Sequence, residues 1–184
     1  MEKILVSACL LGLPVRYNGR SEACAHRRLL AWGAEGRIVP FCPEVAAGLA
    51  TPRPAAEIQG PGGGQAVLSG VALVRTGDGT DLTATFQRAA ELALAVARSA
   101  AIRIAILKDG SPSCGSRRIH DGNFIGGERQ GQGVTAALLT AHGIQVFSET
   151  DIDAAAAWLQ ELERVDQGHS FVGPNSGVEK GELR

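Results

Sequence analysis

Aromatic side chains are scarce in this chain, 4 % of residues. Alanine and glycine recur instead, which favours close helix–sheet packing and gives no obvious stacking platform. Charge of one sign is missing too: 18 Lys and Arg stand against 19 Asp and Glu, a formal net charge of −1. That balance leaves no electrostatic footprint for nucleic acid or a membrane surface, and the pairs Arg27-Arg28 and Arg117-Arg118 read as solvated faces. No apolar run is long enough to span a bilayer. Val6-Ser7-Ala8-Cys9 imitates a lipoprotein cleavage site, but the apolar run ahead of Cys9 covers only residues 4–8, shorter than the h-region a signal requires. The expectation is a cytoplasmic protein with neither a nucleic acid nor a membrane as partner. The 4 cysteines do not suggest a disulfide scaffold. They form no CxxC pair, which disfavours a zinc ribbon or a thioredoxin-like motif. No internal repeat is present.

What remains is a chain of 184 residues, 45 % apolar and 20 % charged, enough for one domain with a sizeable core. The apolar run at residues 3–8 reads as a strand of the kind buried on both faces of a parallel sheet, and the short runs at 37–41, 102–107 and 144–147 read as further strands. Between them, helices are expected around residues 25–32, from 81 to about 100, from 134 to 141 with Gly143 as a good C′ residue, and from about 151 to 165. In the second of these, Leu82, Phe86, Ala89, Ala93 and Val96 recur at helical spacing. Thr150 followed by Asp153 resembles a capping box with Asp in place of Glu or Gln. Residues 50–64, rich in Pro and Gly, read as a surface excursion that could serve as a lid. A hairpin of residues 66–68 with 71–76 is expected after it. The order implies an α/β fold: a single domain over residues 1–166, its mainly parallel sheet flanked by helices in a Rossmann-like manner, with a small hairpin excursion. Residues 167–184 are polar and glycine-rich without periodicity, and read as a flexible tail.

Loops that follow the strands of such a sheet share one edge, where ligands bind. Cys9, Cys42 and Cys114 each follow an expected strand, so parallel neighbouring strands would bring three thiols together. A single cysteine is most often a small buried hydrophobe, but core cysteines have no reason to prefer strand ends. Soft thiolates select iron–sulfur clusters, zinc or copper, and three ligands leave one metal position open, the mark of a reactive site. Cys24, expected on a helix, reads as structural. Glu44, two residues past Cys42, could act as a general base or simply face a helix N-terminus. Ser111 and Ser113 could donate hydrogen bonds to a substrate or shape their turn. Lys108 and Asp109 could pair with each other, and the glycine-rich run 126–133 could cradle an anion. Tyr17, Trp32 and Phe124 lie in or near loops within reach of the same edge.

Four motifs then occur in order: Ser7-Ala8-Cys9-Leu10-Leu11-Gly12; Cys42-Pro43-Glu44 with Thr51-Pro52-Arg53; Leu107-Lys108 with Ser111-Pro112-Ser113-Cys114-Gly115; and Gly131-Gln132-Gly133-Val134-Thr135. Together they resemble the bacterial domain-of-unknown-function family 523, whose members with an assigned activity are thiouracil desulfidases. The resemblance covers about residues 3–160. It implies a [4Fe-4S] cluster held by Cys9, Cys42 and Cys114, with the fourth iron free for a thiocarbonyl sulfur. It further implies Glu44 activating water or relaying protons and Ser111 bonding the substrate. The reaction would be non-redox removal of sulfur from a small thiolated nucleobase, giving the oxo compound and sulfide. Two other readings stay open on the residues alone: a non-catalytic iron–sulfur or sulfide carrier, and a three-cysteine zinc hydrolase. A carboxylate beside the ligand set favours catalysis over a carrier, which needs no base.

Overall fold

The computed structural model describes residues 1–169. Along the chain, β1 (Ile4–Ser7) runs into a 3-10 turn (Ala8–Leu11) and a loop, then α1 (Arg27–Ala34), β2 (Ile38–Phe41) and α2 (Pro43–Ala46). There follow β3 (Ala56–Gln59), α3 (Gly63–Leu68), β4 (Leu73–Thr76), α4 (Thr83–Ser99) and β5 (Ile104–Leu107). The remainder is β6 (Arg118–His120), β7 (Glu128–Gln130), α5 (Val134–Ala141), β8 (Gln145–Ser148) and α6 (Ile152–His169).

The four expected apolar strands form one all-parallel sheet in the order β2-β1-β5-β8. The central strands β1 and β5 are buried throughout, and their alternating side chains divide between two cores, as a period of two requires. Ile4, Val6, Ile104 and Ile106 face Leu29 and Trp32 of α1 and Ile152, Ala155 and Leu159 of α6. Leu5, Ala105 and Leu107 face Leu94 and Ala97 of α4 and Ala136 and Leu139 of α5. The result is a helix–sheet–helix sandwich. Pro40 lies in β2, an edge strand, where a missing N–H costs no ladder bond on the open side.

A third core is built by two small antiparallel sheets, β3 with β4 and β6 with β7. Ile58, Val67, Val74, Ile119 and Val134 pack there against Phe86 and Ala90 of α4. The hairpin proposed for residues 66–68 and 71–76 does not form, because residues 66–68 belong to α3 and the partner of β4 is β3. That partner sits inside the supposed excursion of residues 50–64. Helix α3 opens at Gly63-Gly64, against propensity, because the backbone there runs against the α5 entry. A Cβ on Gly64 would come within 2.3 Å of the Gly133 carbonyl oxygen. The expected capping box is not made either: Asp153 turns outward to Arg28 at 2.7 Å, while Thr150 bonds the Ser148 hydroxyl. Helix α6 extends to His169, and the expected tail from residue 170 onward lies outside the described residues. No helix among the described residues is long and apolar enough to cross a membrane.

Candidate active site

Strands β2, β1 and β5 are consecutive parallel neighbours, so the segments leaving their C-terminal ends meet at one edge. The chain also reverses direction across the sheet there, β1 leading to β2 on one side and the path later returning to β5 on the other. Such switch points are crevices. A cavity of about 500 Å³ occupies this one, and Cys9, Cys42, Cys114, Glu44 and Ser111 all line it. Cys9 sits in the 3-10 turn after β1 and packs with the first core. Cys42 caps α2 directly after β2. Cys114 follows β5 and packs with the second core. The thiols thus reach one cavity from both faces of the sheet, and all four cysteines of the chain are free.

Burial is the main influence on the three cavity thiols. It lifts Cys9 from the ordinary 9.0 to about 11, with a further push from Cys42, against the lowering influence of Arg16 and Lys108. Cys114 is raised furthest, by burial above all and then by the other two cysteines, although the Ser7 hydroxyl bonds its sulfur. Cys42 is raised by burial, offset by backbone N–H bonds from Val45 and Glu44. Cys42 raises Cys9, and both raise Cys114, because ionised sulfurs at this separation repel. A metal centre between them would reverse that balance, since its positive charge favours the thiolate form.

The rest of the machinery is held by hydrogen bonds rather than by packing. Glu44, at the start of α2, is fixed by Arg53, whose Nε and Nη2 donate to Glu44 Oε2 at 3.0 and 2.8 Å. Arg53 also donates to the carbonyls of Val15 and Ala50 and to the Thr51 hydroxyl, so one side chain ties its own loop and the loop after the 3-10 turn to the carboxylate. Ser111 Oγ accepts the N–H groups of Ser113 and Cys114 at 3.1 and 3.0 Å. Its acceptor capacity is filled by these bonds, which leaves its own proton to donate into the cavity. The turn itself is clamped from below: α5 donates its first N–H groups to the carbonyls of Pro112 and Ser113, and Ser113 Oγ bonds Thr135 at 2.8 Å. A Cβ on Gly133 would meet the Ser113 oxygen at 2.4 Å, and one on Gly115 the Arg118 oxygen at 2.4 Å. Both motif glycines therefore serve close backbone approach.

The structure separates several other sequence candidates. Lys108 pairs with Glu149 and Glu22, not with Asp109. The Asp109 carboxylate instead accepts the N–H groups of Ser116, Arg117 and Arg118 at 3.1, 3.1 and 3.0 Å. Burial opposes its ionisation, yet these backbone bonds hold its pKa below the usual carboxylate range. The glycine-rich run cradles no anion at the α5 entry, because those N–H groups are already bonded to the 112–113 carbonyls. It also carries β7, which pairs with β6, both strands too short to stand out in sequence. Cys24 precedes α1 rather than lying on it, packs beside the first core and is not part of the cavity wall. Trp32 is buried in that same core, whereas Tyr17 and Phe124 do line the cavity. Three contributors went unassigned in the sequence: Ser7, Arg53 and His120. Ser7 and Arg53 stand inside the motifs, but a strand-end serine and a lone arginine in a Pro-rich stretch carry no signal of their partners.

The donor set suits a soft metal group. Among the described residues no three His, Cys, Asp or Glu side chains converge tightly enough for a single metal ion. Thiols spread around a cavity wall suit a larger polynuclear body. Comparison with known proteins agrees in kind. The model of a family described as 2-thiouracil desulfurase matches residues 4–151. The uncharacterized protein YbbK of Bacillus subtilis (strain 168) is 44 % identical over 150 residues, spanning 82 % of this chain and 97 % of its own. A solved structure described as the [4Fe-4S]-dependent thiouracil desulfidase TudS is 53 % identical, covers 87 % of this chain and 99 % of its own, and superposes with a TM-score of 0.79.

Proposed function

The chain belongs to the 2-thiouracil desulfurase family, and from that premise we propose that it is a [4Fe-4S]-dependent desulfidase acting on a small thiolated nucleobase such as 2-thiouracil. The observation that carries this reading is the single cavity lined by Cys9, Cys42 and Cys114 together with Glu44 and Ser111. In this reading the three cysteines hold the cluster, and residues 1–166 act as one functional unit. Held by the three thiolates, the cluster would supply a Lewis acid for the thiocarbonyl sulfur.

The chain's own residues supply binding and proton handling. Arg53 occupies Glu44 Oε2, which leaves Oε1 to accept a proton from the water that attacks the thiocarbonyl carbon. Ser111 donates its hydroxyl proton to the substrate and orients it. Ser7 bonds the Cys114 sulfur while its oxygen accepts the Lys108 N–H at 3.0 Å, which locks that ligand's position. The balance is thiocarbonyl plus water giving carbonyl plus hydrogen sulfide, with no net oxidation or reduction. A carrier would bind iron or sulfide without needing an anchored carboxylate in the same cavity. Replacing Glu44 by Gln separates the two: loss of turnover with iron and acid-labile sulfide intact supports the enzyme, whereas unchanged sulfur handling contradicts it. Colourless, zinc-rich protein after anaerobic preparation would contradict the cluster.

A further inference from the structure

The thiols come from the parallel sheet, but part of the cavity wall is built from β3 and the β6–β7 connection. Glu57 on β3, with Phe124 and Gly126 in that connection, lines the cavity. Side chains alternate along a strand: Ile58 enters the third core, and Glu57 stands on the cavity side. Glu57 is nearly buried, 6 % exposed. Its Oε2 accepts the N–H groups of Gly122 and Phe124 at 2.9 and 3.1 Å. That grip holds Phe124 in the left-handed region, φ 58°, a conformation a bulky non-glycine residue rarely adopts without support. One oxygen of the carboxylate is thus committed to the loop.

The other oxygen, Oε1, is left over. Both hydrogen bonds that Glu57 accepts among the described residues end on Oε2. Oε1 is nevertheless open to solvent, unlike the sealed, unbonded side-chain atoms on Arg75, Ser116, His120 and Arg129. No cation of the wall is free to neutralise it. Arg75 stands directly opposite Glu57 in the ladder but pairs with Asp81. Arg16, Arg53 and Lys108, which line the cavity, are held by Glu22, Glu44 and Glu149. A carboxylate oxygen can only accept, and a nearly buried one without a partner is unfavourable. A donor that enters with the ligand completes it. A cyclic thioamide brings one, because a ring N–H beside a thiocarbonyl is a strong donor.

Resting on the desulfidase reading, we infer that Glu57 selects the base: its free oxygen accepts a ring N–H of the cyclic thioamide while its other oxygen holds the β6–β7 loop. The parallel sheet then supplies the thiols, and β3 supplies the group that reads the ring. The test uses reconstituted holoenzyme with 2-thiouracil and its N1-methyl and N3-methyl derivatives, each lacking one ring donor. Wild type should turn over one derivative at least about tenfold less efficiently in kcat/KM, since that base leaves the acceptor unpaired. Glu57→Gln keeps a carbonyl oxygen for the Gly122 and Phe124 N–H groups and puts an NH2 group where Oε1 stood. It should raise KM for 2-thiouracil about tenfold or more, change kcat far less, leave iron and acid-labile sulfide unchanged, and lose most of the discrimination between the bases. A residue that only held the loop would not move that discrimination. Independently of turnover, calorimetry should show uracil binding the variant holoenzyme more weakly by a similar factor. Uracil should also shift the Gly122 and Phe124 amide resonances of wild type, which keeps the inference testable if the Gln variant fails to fold. Equal handling of all three bases by wild type, unchanged KM and discrimination in Glu57→Gln, or amide resonances unmoved by saturating uracil would overturn it. If the wild-type holoenzyme desulfurates no thiolated base at all, the desulfidase reading fails instead, and the two failures are distinct.

Discussion

Arg53→Met tests the scaffold around Glu44. The two side chains are 7 % and 15 % exposed, so the pair is almost desolvated, and methionine preserves the bulk of the stem while removing every donor. Breaking a buried pair by deleting one partner costs roughly 3–5 kcal/mol, because the other charge is left uncompensated. Glu44 lines a cavity that admits water, which points to the lower end, about 3 kcal/mol. For a chain of this length each kcal/mol moves the melting temperature by roughly 2–4 °C, so the expected loss is about 6–12 °C in thermal melts of cluster-free protein. Glu44→Gln in the same background removes the stranded charge and should recover part of the loss, a coupling of about 1–3 kcal/mol in the double-mutant cycle. Turnover should fall in both single variants. A loss under about 2 °C, or a double variant no more stable than the sum of the single effects, would refute the claim that Arg53 anchors the Glu44 carboxylate.

Asp109→Asn should destabilise by about 1.5–3 kcal/mol, the range for hydrogen bonds to a charged group. Because its carboxyl is held below the usual range, Asp109 adds stability above that range and loses it as pH falls, so wild type should lose more stability than the variant between about pH 6 and pH 3 in urea melts. Cys9 behaves with the opposite sign. Its thiol rises from 9.0 to about 11, so cluster-free protein should lose up to about 2–3 kcal/mol as pH climbs through that interval, and Cys9→Ala should flatten the decline. Iron and acid-labile sulfide assays should show the cluster retained in Cys24→Ser and lost in Cys9→Ser, Cys42→Ser and Cys114→Ser; a Cys24 variant that loses it would contradict the three-thiol site.

The parallel sheet was readable because β1, β2, β5 and β8 are short apolar runs between helical periods, and strand-end cysteines carry their location with them. The small sheets were not. Strand β3 places a charged residue, Glu57, at a buried position for the sake of the loop it grips, and it sits among prolines and glycines that read as irregular chain. Helix α3 begins on two glycines chosen for backbone approach rather than for propensity. Strands β6 and β7 are three residues each, below any periodicity. In the site, Cys9, Cys42, Cys114, Glu44 and Ser111 share one cavity, and their nearness follows from strand order. Arg53 depends on tertiary contacts with distant segments, which no local pattern announces.

The most direct measurement is the product balance of the anaerobically reconstituted protein given 2-thiouracil with no added reductant. Uracil and sulfide should appear in equal amounts over many turnovers, with the cluster's iron content unchanged at the end. Sulfide without uracil, a requirement for reductant, or a single stoichiometric release that stops would contradict non-redox desulfuration at the cavity lined by Cys9, Cys42 and Cys114.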